Sequence, residues 1–487
     1  MRLSGAWISA VKPWKWLVLL LCIQAISHLP YMHLPAVGTH VWRQCNTLAV
    51  ARNYAEEDMR IWLPRIDKRY KFSGVTGPSF TLYEYGLACI YKLTGFSHTA
   101  HRWWSLFISF FSISGLFLLV RSFFSETRIA LFSAAFLIAI PEFYYHSINA
   151  VPDLLALSFM LWGWLFFRFW IAKAELFNWL FASILLTLAG MVKLQFLIAG
   201  VPLGIELVKK GVFQNRRWLW SSILTALLTT AACAGWYAWA RYLTFKDWLN
   251  EFVHDVRIPD SVSTFFRQWF QNAWSDVPET WVGYVMLPLL LLGLIILFRT
   301  KRSRIYAIGT FAGAFVIYFL LQSQFLKHGY YILFMAPFIV LTAAVGANRV
   351  IPQGKNYLFA FLFIGALTWS WIRMHRNWEP TGWRVPRGFT NAEFIQQAEK
   401  TTDTARRYVV GPDETGCVYF YYLHAKGFPW YQEKDSKAEM ARWTEWGANG
   451  IITDRPELLQ EYSDIWEWME EKQVGSFHWY KLRPKKP

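Results

Sequence analysis

Residues 14–32 read WKWLVLLLCIQAISHLPYM, and a dense polar cluster, Thr39-His40-Val41-Trp42-Arg43-Gln44-Cys45-Asn46-Thr47, follows soon after. The first stretch suits a membrane-spanning helix, which needs about 20 mostly apolar residues. A helix that leaves lipid and delivers such a cluster to the boundary predicts an all-α polytopic membrane protein, and the rest of the chain repeats the pattern. Further apolar runs lie near 103–120, 129–146, 153–170, 176–192, 194–208, 218–238, 281–298, 305–322, 330–347 and 357–373, about eleven spans in total, the pair around Lys193 being short. Composition agrees: 55% hydrophobic and only 17% charged, against roughly 25% charged in a soluble domain. The net charge of +16 would suggest nucleic acid in a soluble chain. Here no basic stripe sits on a soluble module, and Lys and Arg gather at the ends of apolar runs, where anionic lipid attracts them.

Sidedness follows from those basic groups. With the N-terminus inside, Lys12/Lys15, Arg121/Arg128, Arg168/Lys173, Lys209/Lys210/Arg216/Arg217, Arg299/Lys301/Arg302/Arg304 and Arg349/Lys355 all fall on the cytoplasmic side, as the positive-inside rule requires. The other face then receives 33–102, the turn at 147–152, Lys193, the loop 239–280, Lys327-His328 and everything after 374. Arg2, Lys12 and Lys15 ahead of the first run resemble a signal peptide, but no small-residue cleavage site follows, so the run reads as a retained helix. The expected organisation is a transmembrane catalytic domain over 1–375, with 33–102 as a first extracytoplasmic loop, and a soluble α/β domain over 376–487. Within that loop, 79–91 reads as a helix in the interface; a further span there would invert every later basic group. The tail alternates strand-like runs (408–410, 450–453) with helical ones (436–446, 457–472). The five cysteines are dispersed and unpaired in spacing, indicating neither a disulfide framework nor a zinc site.

The residues able to carry chemistry share one face. Arg43 offers a planar fork of donors suited to phosphate; its bland alternative is snorkelling to headgroups. His40, Gln44, Asn46 and Thr47 make the neighbourhood more polar than a plain helix start needs. Asp153, after Pro152, is either a helix cap or a base or electrostatic partner for a sugar substrate; Glu142 and Glu84 compete with it. Lys193 is costly between two apolar runs unless it faces water, phosphate or a partner. Lys327, His328, Tyr330 and Tyr331 suit a clamp on a lipid phosphate, or an interfacial belt. No Gly-rich phosphate loop, H-E-x-x-H or G-x-S-x-G pattern supports ATP-driven transport, metalloproteolysis or serine hydrolysis.

These motifs, in order, resemble the GT-C class of integral-membrane glycosyltransferases, and within it the bacterial branch related to protein O-mannosyltransferases and lipid A aminoarabinose transferases. The carrying residues are His40-Val-Trp-Arg43-Gln44-x-x-Thr47 with Ala51-Arg52-Asn53, then Phe80-x-Leu82-Tyr83-x-Tyr85 with Tyr91-Lys92-Leu93. They continue with Ala150-Val-Pro152-Asp153, Gly190-Met-Val-Lys193 and Lys327-His328-x-Tyr330-Tyr331. The resemblance implies transfer from a polyprenyl-phosphate sugar to a glycan, lipid or protein acceptor on the periplasmic side of a bacterial inner membrane, with no nucleic acid involved. Catalytic candidates are Asp153, His40 and Glu84. Donor-binding candidates are Arg43, Gln44, Asn46, Lys193, Lys327, His328 and Tyr331. Many relatives read Arg-Gln-x-Asp-Thr where this chain has Asn46, which cannot act as a base; Asp153 then ranks first, since it matches the acid of the second outer loop. No cofactor is called for; a divalent cation is compatible with the chemistry, yet no ligand cluster specifies one. A flippase for lipid-linked sugars and a surface-polysaccharide polymerase or ligase are the competing readings. No repeated halves with broken helices at mid-membrane favour the flippase.

Overall fold

The computed structural model describes residues 12–124, 126–247, 261–380, 385–431 and 435–485. Arg2 and the middle of the 239–280 loop lie outside the described residues. The chain divides into two compact units. One comprises residues 1–32, 102–237 and 254–377, the other 33–101, 238–253 and 378–487.

The first unit is helical because its sequence is a series of uniformly apolar runs, in which every backbone N–H and C=O must be satisfied within the segment. Among the described residues five helices are long and apolar enough to cross a membrane: Ala100–Phe123, Asp153–Lys173, Arg216–Lys246, Lys301–Phe325 and Asn356–Trp378. Shorter apolar helices occupy Thr127–Ile138, Leu176–Val192, Leu287–Arg299 and Ala336–Val350, and the opening run forms Pro13–His28. The expected count of about eleven is therefore not reached by full-length helices. Several expected spans are broken instead. The 129–146 run stops at Ile138 and restarts at Pro141 as a short helix, Pro141–His146, because proline has no N–H to continue a helix but suits its first turn. After Val192 the backbone extends at Lys193 (φ −155°, ψ 114°) and tightens into a 3₁₀ turn, Leu194–Ala199. The 330–347 run opens on another 3₁₀ turn, Gly329–Phe334.

Packing relies on small and hydroxyl side chains, as expected where lipid offers helices no hydrophobic drive to associate. Gly293 lies against the Thr342 carbonyl and Gly346 against that of Leu289, so two helices meet backbone to backbone. Ser183 and Thr187 hydrogen-bond Thr225 and Thr229, each at 2.8 Å.

The second unit joins two helices, Val41–Glu56 and Leu82–Thr94, to a small α/β fold. Leu82–Thr94 has 13 residues, about 20 Å of helix, which is too short for a span; its buried face is Tyr83, Glu84, Leu87, Ala88 and Tyr91. The five strands are β1 (Tyr408–Val410), β2 (Gly427–Pro429), β3 (Gly450–Thr453), β4 (Trp466–Val474) and β5 (Phe477–Pro484). They are ordered β2-β1-β3-β5-β4. β1 runs parallel to β2 and β3, while β5 is antiparallel to β3 and β4. The expected strands at 408–410 and 450–453 and the helix near 436–446 are present, the last as Lys437–Glu445 capped by Ser436. The expected helix at 457–472 is not. That stretch is a 3₁₀ turn, Pro456–Tyr462, followed by β4. Its Glu and Lys residues favour helix locally, but pairing with β5 across a Gly475 turn (φ 58°) wins.

Candidate functional site

Within the first unit, polar groups collect where helices break. Asp153 begins the helix Asp153–Lys173 directly after Pro152 and is 0% exposed. Its Oδ2 lies 3.7 Å from Nζ of Lys193, itself at the break between helix and 3₁₀ turn. Neither carboxylate oxygen has a hydrogen-bond partner among the described residues. The Lys193 ammonium sits 5.2 Å from the Tyr331 ring and 5.9 Å from that of Tyr330, and His328 stacks on Tyr330 at 5.4 Å with planes 16° apart.

At 3.7 Å the pair attracts by about 4 kcal/mol at an effective dielectric of about 20. Taking each ion out of water costs several kcal/mol. Attraction alone does not repay burial, and among the described residues no hydrogen bond to Asp153 supplements it. Ionisable groups held at such a cost within membrane-spanning bundles mark substrate sites. Irregular backbone there is tolerated only where it is buried in protein or lines a cavity.

The turn 147–152 that presents Asp153 is pinned by two residues that the sequence reading passed over. Fully buried Arg102 donates to the Asn149 side chain and to the Ile148 carbonyl, and Ser105 Oγ donates to the Asn149 carbonyl at 2.8 Å. The available signal was a charged pair, His101-Arg102, at the mouth of an apolar run.

Of the expected residues in this unit, Asp153, Lys193, His328 and Tyr331 come together. Lys327 is exposed next to them. Two acids expected to compete diverge: Glu142 is in this unit, buried, 3.3 Å from His146, whereas Glu84 is in the other.

In the second unit, His40, Arg43, Gln44 and Asn46 occupy the start of Val41–Glu56. His40 caps it in the left-handed region (φ 59°), a conformation that side chains other than Gly, Asn and Asp adopt at a cost. Arg43, Gln44, Asn46 and Thr47 are all buried. Gln44 donates weakly to the Val37 and Thr39 carbonyls, both at 3.4 Å, and so fastens the entry to its own helix. Glu84 is buried on the partner helix. Further along, Arg52 and Asn53 have a structural task. Arg52 Nη2 meets Asp67 at 3.3 Å and the Tyr421 carbonyl at 3.0 Å, and Asn53 donates to the other Asp67 oxygen at 2.9 Å. Nearby Lys68 donates to Tyr431 Oη at 3.3 Å, and burial pulls its ammonium down to about 8. Among the described residues no cluster of His, Cys, Asp and Glu could hold a metal ion.

This architecture is shared with solved proteins. The chain has a TM-score of 0.64 to ArnT from Cupriavidus metallidurans in the apo state, at 12% identity over 96% of this chain and 97% of that one. The same protein bound to undecaprenyl phosphate gives the same score and identity, covering 96% and 98%. The oligosaccharyltransferase AglB from Archaeoglobus fulgidus, in complex with an inhibitory peptide and a dolichol-phosphate, gives 0.56 at 10% identity over 99% and 77%. Residues 81–239 match the sequence model of the family described as dolichyl-phosphate-mannose-protein mannosyltransferase. No curated protein sequence matches. The fold is that of the GT-C class of membrane glycosyltransferases. Within that class, the resemblance to the protein O-mannosyltransferase and ArnT superfamily, read first from motifs, holds in both sequence model and structure.

Proposed function

We propose that this chain transfers a sugar from a polyprenyl-phosphate donor to an acceptor hydroxyl at the extracytoplasmic face of a bacterial inner membrane. The observation that carries the reading is the buried Asp153–Lys193 pair at 3.7 Å, set among Tyr330, Tyr331 and His328 where helices break. Support comes from a fold whose solved examples include one bound to undecaprenyl phosphate. The six basic groups argue for the orientation. The reading of about eleven spans counts the short and broken helices as crossings.

In this reading the acceptor oxygen attacks the anomeric carbon and the lipid phosphate leaves. Lys193, Lys327 and His328 stabilise the departing charge, and Tyr331 walls the phosphate. Fixed donors of this kind contribute roughly 10²–10³-fold each. Asp153 holds the Lys193 ammonium and orients the acceptor. By the positive-inside reading, the tail domain and the 33–102 loop are extracytoplasmic.

The test uses membranes carrying the full chain, given a panel of radiolabelled undecaprenyl-phosphate sugars: a hexose, a pentose and an aminopentose. Label moved to a new lipid, glycan or protein supports transfer. Label that only changes leaflet supports the flippase instead, and a polymeric product supports the polymerase.

A further inference from the structure

We propose that Glu142 and His146 form the proton-accepting pair of the transfer step, an inference that rests on the glycosyl-transfer reading above. The two side chains lie one turn apart on Pro141–His146, so they share a face. Glu142 Oε2 is 3.3 Å from Nε2 of His146, and the residues are 8% and 1% exposed. The pair adjoins the Asp153–Lys193 cluster through a common wall. The His146 ring meets Tyr330 edge-on at 5.4 Å, and Tyr330 also faces Lys193 and stacks on His328. The Glu142 carboxylate occupies the place a side chain on Gly329 would need. Gly329 sits inside the Lys327–Tyr331 motif, so the motif is shaped to receive this acid.

The short helix is held too firmly for an incidental contact. His28 Nε2 reaches the Tyr144 carbonyl at 2.8 Å, Tyr144 Oη donates to the Ser27 carbonyl at 3.0 Å, and Tyr145 Oη donates to Asn377 at 3.0 Å. A catalytic base must be fixed by its supports in this way. Asp153 is committed to Lys193, so the acceptor proton needs a separate destination, and an imidazole oriented by a carboxylate is suited to take it. In the step, the acceptor O–H gives its proton to an imidazole nitrogen of His146. The oxygen bonds to the anomeric carbon, the bond from that carbon to the phosphate oxygen breaks, and its electron pair leaves with the phosphate beside Lys193. Glu142 is the positioning residue and balances the imidazolium.

The experiment uses detergent-purified full chain, the panel donor that the wild type transfers, and undecaprenyl phosphate as the binding probe. His146→Gln is expected to lower kcat by about 10²–10⁴-fold, with donor KM and undecaprenyl-phosphate Kd within a factor of three or so. Glu142→Gln should lose a smaller part of kcat with the same unchanged KM. Full kcat in His146→Gln overturns the assignment, and so does loss of undecaprenyl-phosphate binding in both variants, which marks the pair as structural. A wild type that transfers none of the panel sinks the transferase reading itself, a different failure from an active wild type matched by its His146 variant.

Discussion

Each unit buries an ion pair, and the two are built differently. In the second unit, Arg52 faces Asp67 at 3.3 Å, Glu399 at 3.7 Å and the Tyr421 carbonyl, lies 5.1 and 5.0 Å from the rings of Phe96 and Tyr421, and shares Asp67 with Asn53. In the first unit, Asp153 faces one ammonium at 3.7 Å and no hydrogen-bond donor among the described residues. Both pairs incur desolvation of several kcal/mol per ion. Arg52 offsets it with hydrogen bonds, a second carboxylate and two aromatic faces, so its pair belongs to the scaffold. Among the described residues Asp153 has one ammonium and no hydrogen-bond donor to offset it, and in the reading proposed above a ligand supplies the remainder. Burial and charge alone would have ranked the two alike; the partner inventory separates them.

The sharpest way to break that contrast is to disrupt each pair. Asp67→Asn leaves Arg52 with Glu399 and the Tyr421 carbonyl and should cost roughly 1.5–3 kcal/mol of second-unit stability, the worth of a hydrogen bond to a charged group, read as lost hydrogen-exchange protection in β1 and β3. Lys193→Met combined with Asp153→Asn, which strands neither charge, should instead leave folded protein in normal yield while transfer falls by at least about 10²–10³-fold. If Asp67→Asn stayed protected while this double variant lost its fold, scaffold and site would have to be exchanged.

The sequence made the apolar runs, their basic flanks and the polar clusters at Arg43, Asp153, Lys193 and Lys327 legible, because hydropathy and charge act locally. Arg52-Asn53 were visible as a motif, but their partner Asp67 and the Tyr421 carbonyl they also reach lie 15 and 369 residues from Arg52, a distance over which no local pattern operates. The same limit hid Arg102 and Ser105 behind the Asp153 turn; His146, one turn from Glu142, lay within local reach and was passed over. The 457–472 stretch misled for the opposite reason: its helix-favouring residues obeyed a strand partner supplied later in the chain.

A smaller effect should follow at the edge of the first-unit site. Gly329→Ala drives a methyl group into the Glu142 carboxylate, and such overpacking costs typically 1–3 kcal/mol. A melting temperature lowered together with kcat, and restored by the further change Glu142→Ala in stability but not in rate, would separate the packing of this acid from its chemistry. An unchanged melting temperature would mean that the Gly329 turn yields, and with it the claim that it is shaped around Glu142.

The smallest effect belongs to the second unit and tests whether its interior is scaffold throughout. Lys68 is pulled from its ordinary 10.5 to about 8 by burial, against weaker opposing contributions from Cys417 and Asp435, with Tyr70 and Tyr431 as its ring neighbours. Between pH 8 and 10.5 the unfolded chain binds more protons than the folded one at this position. Stability must then rise with pH across that window and lie flat below it. Hydrogen-exchange protection of β1 and β2, corrected for the intrinsic pH dependence of exchange, should therefore increase from pH 8 towards 10, by a margin equivalent to a few degrees of melting temperature. Lys68→Met should be more protected at pH 7 and lose the slope. A slope that persists in Lys68→Met would assign it to another group. A wild type with no slope would mean that the ammonium is better solvated than its burial implies.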